Sequence, residues 1–439
     1  MNEDTAPGSR LERQPVTVLH GIVLAACAFG FMLDILEVSF GNALAAVFST
    51  PPHVADRAEL AWLLASVYIG AAVGAPLLGW WADRRGRRAA LVLAFLWMAA
   101  ASLAGAMSRD IGELSACRGL LGLALGAIPP LVIALVTDLL PAGRRGPLLL
   151  TVIALGTLGG PAGVFLVRGL AALQPFGLEG WRAALMVGAF GALAAGLAFT
   201  RLPESPRWLA ARGRTADADR SLAAFARSRP WLSAGLAPEA VASADDPASR
   251  GSPARLWPVV ALLFFLSPWS TVAFPLLSGV LLAARGLRLQ DSLLYVGLSL
   301  FGPLAGTLAM SAGVDRIGRR PAIACCAVAM LAAALAYVGS DAPAVLVATG
   351  ALFGALASVY LSLLNIYGAE LFPTRSRAVA ISSAWACNRA GAAIAPLSLL
   401  PLLHAGGVAA MMGVIATAVV AGVLVLAVAP RGLDRAAVG

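Results

Sequence analysis

Twelve apolar stretches, each long enough to cross a bilayer as a helix of about 20 residues, dominate the chain. They fall near 18–44, 59–81, 89–108, 113–139, 146–170 and 181–201, then near 257–283, 292–312, 321–339, 345–371, 377–400 and 407–429. In hydrocarbon no water satisfies a bare N–H or C=O, so each stretch must close its hydrogen bonds internally, as a helix. With 59% hydrophobic and 13% charged residues and a mean hydropathy of +0.83, the 439 residues lie outside the composition of soluble domains. The expectation is an all-α membrane protein with twelve transmembrane helices.

The second six stretches repeat the first. One offset of 232 residues carries Asp83 onto Asp315, Gly122 onto Gly354, Asp138 onto Glu370, Pro141 onto Pro373 and Arg145 onto Arg377. A constant offset at five positions marks an internal duplication, hence two pseudo-symmetric six-helix halves. The halves are 1–202 and 257–439, joined by a polar linker over 203–256 rich in Ala, Arg, Ser, Asp and Pro. Within that linker Ala211 to Arg227 has helical spacing, predicting one or two amphipathic surface helices, with a flexible tail from Ala237 to Arg255.

The excess positive charge comes entirely from arginine, since the chain has no lysine. Arg84–Arg88, Arg144-Arg145, Arg201–Arg255, Arg316–Arg320 and Arg375–Arg377 fall in loops on one side of the twelve stretches, so by the positive-inside rule both termini are cytoplasmic. Such scattered loop charge points to membrane topology rather than nucleic acid. Residues Met1 to Gln14 read as a short polar tail and not as a cleavable signal, because the apolar run after them is too long for one. Cys27, Cys117, Cys325, Cys326 and Cys387 all lie in apolar runs without metal-ligand spacing, and read as packing residues. No nucleophile–base constellation, phosphate loop or metal cluster is present, so neither an enzyme nor a cofactor is expected.

Gly79-Trp80-Trp81-Ala82-Asp83-Arg84-Arg85-Gly86-Arg87-Arg88 and its echo Asp315-Arg316-Ile317-Gly318-Arg319-Arg320 resemble the signature loop of major facilitator superfamily transporters. Pro203-Glu204-Ser205-Pro206-Arg207-Trp208-Leu209 resembles the signature that follows the sixth helix of sugar porters and related organic-ion carriers. Glu370-Leu371-Phe372-Pro373-Thr374-Arg375-Ser376-Arg377 resembles its second-half counterpart in organic-ion carriers and aromatic-acid/proton symporters. The resemblance implies the major facilitator fold and a cytoplasmic latch built from these loops, with Asp138 and Arg145 at the end of the fourth helix. Asp83 is then expected against the N-terminus of a helix from the opposite half, where the helix dipole favours an acid. Gly79 is expected at a close helix approach.

Ionisable residues within hydrocarbon are costly and face a partner or a water-filled cavity. Asp34 and Glu37, at i and i+3 of the first helix, resemble the D-x-x-[DE] of metabolite/proton symporters, and Arg118-Gly119-Leu120-Leu121-Gly122 resembles the family's fourth helix. The resemblance implies a proton-coupling pair, Asp34 with Arg118, and Glu37 as a second titratable or substrate-facing group. Arg389, halfway along the eleventh helix, has no acid at helical spacing and shares a face with Ser382 and Trp385. A guanidinium fork fits a carboxylate bidentately and the indole suits an aromatic ring. Tyr68, Trp269, Phe274, Tyr360 and Asn365 are further candidates for the pocket.

These residues lead to a monomeric, multi-pass carrier of the cell (inner) membrane, with a small organic anion and protons as its partners and the lipid bilayer as its solvent. Import of an aromatic monocarboxylate such as nicotinate or a benzoate-type acid is the first reading. An organic-cation carrier or drug exporter using Asp34 and Glu37 as counter-charges is the second, and a non-transporting receptor the third. Binding assays separate the first two: loss of binding in Arg389→Ala is expected for the anion, and loss only in Glu37→Gln for the cation.

Overall fold

A computed structural model describes residues 14–232, 253–313, 318–372 and 374–430. The first half runs α1 (Val18–Phe48), α2 (Arg57–Arg85), α3 (Arg87–Ala106), α4 (Ile111–Leu125), α5 (Ile128–Leu139), α6 (Ala142–Thr157), α7 (Gly159–Leu173) and α8 (Gly180–Thr200). Two linker helices follow, α9 (Pro206–Ala211) and α10 (Thr215–Ala226). The second half runs α11 (Pro253–Thr271), α12 (Ala273–Ala284), α13 (Leu289–Ser299), α14 (Gly302–Gly313), α15 (Arg319–Val338), α16 (Pro343–Leu371) and α17 (Thr374–Val428).

Eleven of the described helical runs are long and apolar enough to span a bilayer, and one of them accounts for two of the twelve expected crossings. The 55 residues of α17 would extend about 80 Å at ~1.5 Å per residue, far more than the ~30 Å hydrocarbon thickness. Gly407, at φ 71° and ψ −172°, breaks it into an eleventh and a twelfth crossing. Four crossings are interrupted midway. The fourth changes from α4 to α5 at Gly126-Ala127, just ahead of Pro129-Pro130, where two backbone donors are missing. The fifth (α6, α7), seventh (α11, α12) and eighth (α13, α14) are broken at Leu158, Val272 and Leu300-Phe301.

The halves meet where α2 packs on α17, α1 on α12, α7 on α13 and α6 on α14. Within each half, the closest approaches are made by glycines. A Cβ on Gly70 or Gly74 of α2 would lie 2.0 Å from the carbonyl oxygen of Gly119 or Leu123 in α4. A Cβ on Gly302 or Gly306 of α14 would lie 1.9 Å or 2.2 Å from those of Ala351 and Ala355 in α16. All four pairs follow the 232-residue offset, so the duplication extends to the backbone contact. Gly79 corrects an expectation: a side chain there would meet nothing within 4 Å. Close approach on α2 happens two turns earlier, where the fourth crossing leans against it.

On the side of the arginine loops, a short antiparallel ribbon pairs Val16–Thr17 (β1) with Pro230–Leu232 (β2). Val18 N–H donates to Arg229 O at 2.9 Å and Leu19 N–H to Ser228 Oγ at 3.0 Å, tying the linker to the start of the first crossing. The expected surface helix is present as α10. Most of the stretch expected as a flexible tail lies outside the described residues.

The glycine contacts carry a test. A Cβ on Gly122 would stand 2.1 Å from Val67 O. Gly122→Val should therefore lose stability on the overpacking scale of about 1–3 kcal/mol, seen as a lowered midpoint of thermal unfolding in detergent. Gly79→Val should leave that midpoint unchanged.

Candidate substrate and proton site

Two carboxyls lie at the middle of α1, and both are buried: Asp34 is 3% exposed and Glu37 0%. A separation of three residues falls about 60° short of a full helical turn, and that angle sends them to different surroundings. Glu37 faces into the first half. Its Oε2 lies 3.1 Å from Arg118 Nη1, its main-chain oxygen accepts from Arg118 Nη2 at 2.8 Å, and its Oε1 accepts from Ser102 Oγ at 2.6 Å. Ser102 Oγ also lies 3.2 Å from Leu185 O of α8. Gly188 keeps the space beside the carboxylate open, since a Cβ there would stand 2.7 Å from Glu37 Oε1. Crossings one, three, four and six thus converge on one buried ion pair.

This corrects the expected pairing of Asp34 with Arg118. Two bonds to Glu37, one to its carboxylate and one to its main chain, hold the guanidinium against the residue one turn further along α1. Asp34 instead lies toward the seam between the halves, in electrostatic reach of Arg389 and of Glu37. Its Oδ1 is enclosed and has no hydrogen-bond partner among the described residues. Tyr68, buried on α2, lies in reach of Arg389, Arg118 and Asp34 together.

From the other half, α17 presents Arg389, half-buried and paired with no carboxylate among the described residues. Its guanidinium carbon is 5.5 Å from the ring centroid of Trp385, within the range of cation–π attraction. Trp385 Nε1 donates to Asn365 Oδ1 at 2.8 Å, and Phe264 stands edge-on to the indole at 5.7 Å. Arg389, Trp385 and Asn365 therefore come together as one face, opposite Asp34 and Tyr68. The side chain of Ser382 lies outside the described residues.

The remaining pocket candidates divide. Trp269 is half-buried, with an enclosed indole N–H that has no partner among the described residues. Phe274 belongs to an aromatic cluster with Tyr337 and Phe353, at centroid distances of 5.1 and 4.8 Å, beside a cavity of about 30 Å³. Tyr360 lines a crevice with Ser270, Ala327 and Gly422, where α16 meets the seventh, ninth and twelfth crossings.

The loop residues form two related ion pairs. Arg87 Nε lies 3.7 Å from Asp138 Oδ2, and Arg319 Nε lies 3.2 Å from Glu370 Oε1, the same pair displaced by the 232-residue offset. Asp83 departs from expectation: its side chain is 70% exposed and pairs with Arg87 at 3.2 Å, within its own loop. Trp208 Nε1 and Arg212 Nη2 donate to Asp83 O, which places the main chain of this loop under the linker. Glu204 caps α3 from outside the helix, its Oε1 accepting from Arg88 N–H at 3.1 Å. That requires Gly86, whose φ is 106° and where a Cβ would lie 2.1 Å from Glu204 Oε2. Ser205 Oγ donates to Asp138 Oδ2 at 2.8 Å. Arg88 Nη1 donates to Leu202 O at 2.9 Å, Arg145 Nη2 to Leu140 O at 3.2 Å, and Arg320 Nη2 to Ala427 O at 2.6 Å. Arg84 lies over the Trp80 ring at 3.7 Å. Gly318 opens α15 and Arg207 lies in α9. Asp315, Arg316 and the side chain of Arg377 lie outside the described residues.

Ser102 and Arg212 were not singled out by the sequence, and Ser205 and Trp208 stood there only as members of the signature that follows the sixth helix. Ser102 left one signal, a hydroxyl set inside the apolar run of the third crossing.

A bundle of broken crossings around buried charges, with arginine loops on one face, defines a membrane transporter of the major facilitator fold and not an enzyme. The sequence pattern of the sugar (and other) transporter family matches residues 21–429, and the chain belongs to that family. The niacin transporter NiaP of Acinetobacter baylyi is 26% identical over 90% of this chain and 90% of its own. A gallate transporter of Pseudomonas putida is 28% identical over 87% of this chain and 85% of its own. The partially occluded inward-open structure of the xylose transporter XylE from E. coli superposes with a TM-score of 0.72 at 18% identity, covering 95% of this chain and 100% of XylE.

The buried pair sets a stability expectation. Arg118→Ala strands Glu37 without its counter-charge, a loss on the scale of about 3–5 kcal/mol. Removing both charges, as Glu37→Gln with Arg118→Met, should recover most of it. Unfolding midpoints of the three proteins in detergent check the order.

Proposed function

We propose that the chain is a proton-coupled importer of a small organic anion, an aromatic monocarboxylate such as nicotinate or a benzoate-type acid. The observation that carries the reading is Arg389. It is a half-buried guanidinium without a carboxylate partner among the described residues, set beside an indole and in electrostatic reach of the buried Asp34. A carboxylate docks on the fork of Arg389 by paired, charge-assisted hydrogen bonds, and its ring stacks near Trp385. Niacin and gallate, for which two relatives are named, are both aromatic carboxylates, and this agrees with the choice.

Coupling follows from charge. Without substrate, Asp34 has Arg389 as its neighbouring positive charge, because Arg118 is bound to Glu37. When the anion takes Arg389, a buried carboxylate is left without compensation, which hydrocarbon does not tolerate. Asp34 then accepts a proton, so the site holds the same net charge loaded and empty and the halves can rock around it. Glu37 and Arg118 stay paired throughout and hold the first half together. The arginine loops face the cytoplasm in this reading, and the carrier works as a monomer in the inner membrane.

Uptake of radiolabelled nicotinate into proteoliposomes, with and without an inward proton gradient, tests the proposal. Benzoate and 4-hydroxybenzoate should compete; a sugar and a quaternary amine should not. Arg389→Gln removes hydrogen bonds to a charged group, a loss of about 2 kcal/mol or ~30-fold in affinity. Asp34→Asn should keep nicotinate exchange and lose gradient-driven accumulation. Accumulation that survives in Asp34→Asn overturns the coupling scheme, and displacement by the amine alone moves the weight to an organic cation.

A further inference from the structure

On the face away from the arginine loops, the two halves are joined by a polar clasp at the rim of the fifth and eighth crossings. Arg168 of α7 donates its Nε to the main-chain oxygen of Gln290 at 2.9 Å, and Gln290 Nε2 reaches back to Arg168 O at 3.4 Å. One turn below, Phe165 of α7 is keyed into the notch at Gly297 of α13, where a Cβ would stand 3.0 Å from the Phe165 ring. Phe301 lies 6.5 Å from that ring, and Leu300 closes on Gly160. Arg168 is half-buried, and no carboxylate among the described residues pairs with it. A guanidinium at the rim is thus held by a neutral carbonyl, the weaker class of acceptor for it.

We propose that Arg168 is an outer receiving site for the carboxylate of the incoming anion, and that the anion opens the seam by taking the guanidinium from Gln290. The proposal rests on the anion reading above for the identity of the ligand. The physical basis is competition. A carboxylate offers Arg168 two charge-assisted bonds where the Gln290 carbonyl offers one neutral bond. The guanidinium is engaged across the seam in the clasped state and open to the ligand in the parted one. A ligand shifts a conformational equilibrium only by its differential affinity for the two states, and here that difference lies in a named atom. With the rim bond gone, α7 is held to α13 at this rim by packing such as Phe165 in its glycine notch, a contact without directionality. A neutral ring of the same shape does not compete for Arg168 and leaves the clasp shut.

The test measures seam opening directly. Spin labels at Leu173→Cys and Ala344→Cys, both exposed on this face and one on each half, report the distance across it in the full chain in nanodiscs, with the native cysteines replaced. Benzoate should shift the native distance distribution toward longer separations, and benzyl alcohol should not. Arg168→Gln should show the longer separations without benzoate and no further response. Arg168→Lys, which keeps the charge but loses the fork, should respond at a higher benzoate concentration and serves as the control for folding. An Arg168→Gln protein that remains closed, or that still opens with benzoate, overturns the proposal. Equal opening by benzyl alcohol also overturns it. If benzoate opens the seam but is not taken up, the receiving site stands and the central anion reading fails; if Arg389→Gln abolishes uptake while opening persists, the two sites are separate.

Discussion

Helices already in hydrocarbon gain nothing by hiding apolar surface from water, so their association depends on van der Waals contact and on how closely the backbones approach. In this chain the closest approaches set a glycine of one crossing on a carbonyl of its neighbour: Gly70 on Gly119 and Gly74 on Leu123, then Gly302 on Ala351 and Gly306 on Ala355. The second set is the first displaced by 232 residues. Duplication therefore preserved these close backbone contacts within each half. It did not preserve the charges buried within the crossings. The same offset carries Asp34 onto Leu266, Glu37 onto Trp269 and Arg118 onto Gly350, and returns Arg389 to Thr157. The scaffold is symmetric, and the residues in it that can bind or titrate are not.

That asymmetry gives the halves different chemistry. The buried pair of Glu37 and Arg118 is an expensive way to stabilise a bundle, since well-packed apolar residues do as well or better. What the pair adds is connection: through Ser102 and Leu185 it joins four crossings to one point of α1. Among its described residues, the second half has no counterpart. It offers a guanidinium, an indole and an amide on one face, with Trp385 oriented by its bond to Asn365. Asp34, 60° round the helix from Glu37, is left between the two.

How much of this was legible in the sequence depends on whether the signal was local. Span lengths, the repeat and the loop arginines are local or periodic, and the twelve crossings followed from them; only the join at Gly407 merges two. The i, i+3 spacing of Asp34 and Glu37 placed both on one side of α1, but choosing which meets Arg118 needs the hydroxyl of Ser102 and the missing side chain of Gly188, from crossings three and six. Nothing near Arg118 in sequence names them. Gly79 stood in the motif and Gly70 and Gly74 did not, yet the tight contacts are at the latter two, because a glycine's role depends on which helix crosses it. Tyr360 lines a separate crevice and Phe274 joins an aromatic cluster for the same reason: a single aromatic in an apolar run carries no direction.

Among the described residues, the ion pairs and the linker cap named at the arginine loops lie within one half or between a half and the linker. Arg87 with Asp138 and Arg319 with Glu370 each close a pair inside their own half, and Glu204 docks through Gly86 onto α3. Together with the ribbon between Val16–Thr17 and Pro230–Leu232, the Glu204 cap fastens the linker to the first half. A rocking motion between the halves need break none of them. The contacts it must exchange lie along the seam, where α1 meets α12, α2 meets α17 and α7 meets α13, and much of that seam is apolar packing that can be remade at another angle. A ligand can move such a pair of bodies with the differential affinity of a few hydrogen bonds. In the proposed scheme, a carboxylate taking a guanidinium at the seam would act where the resistance to motion is least directional.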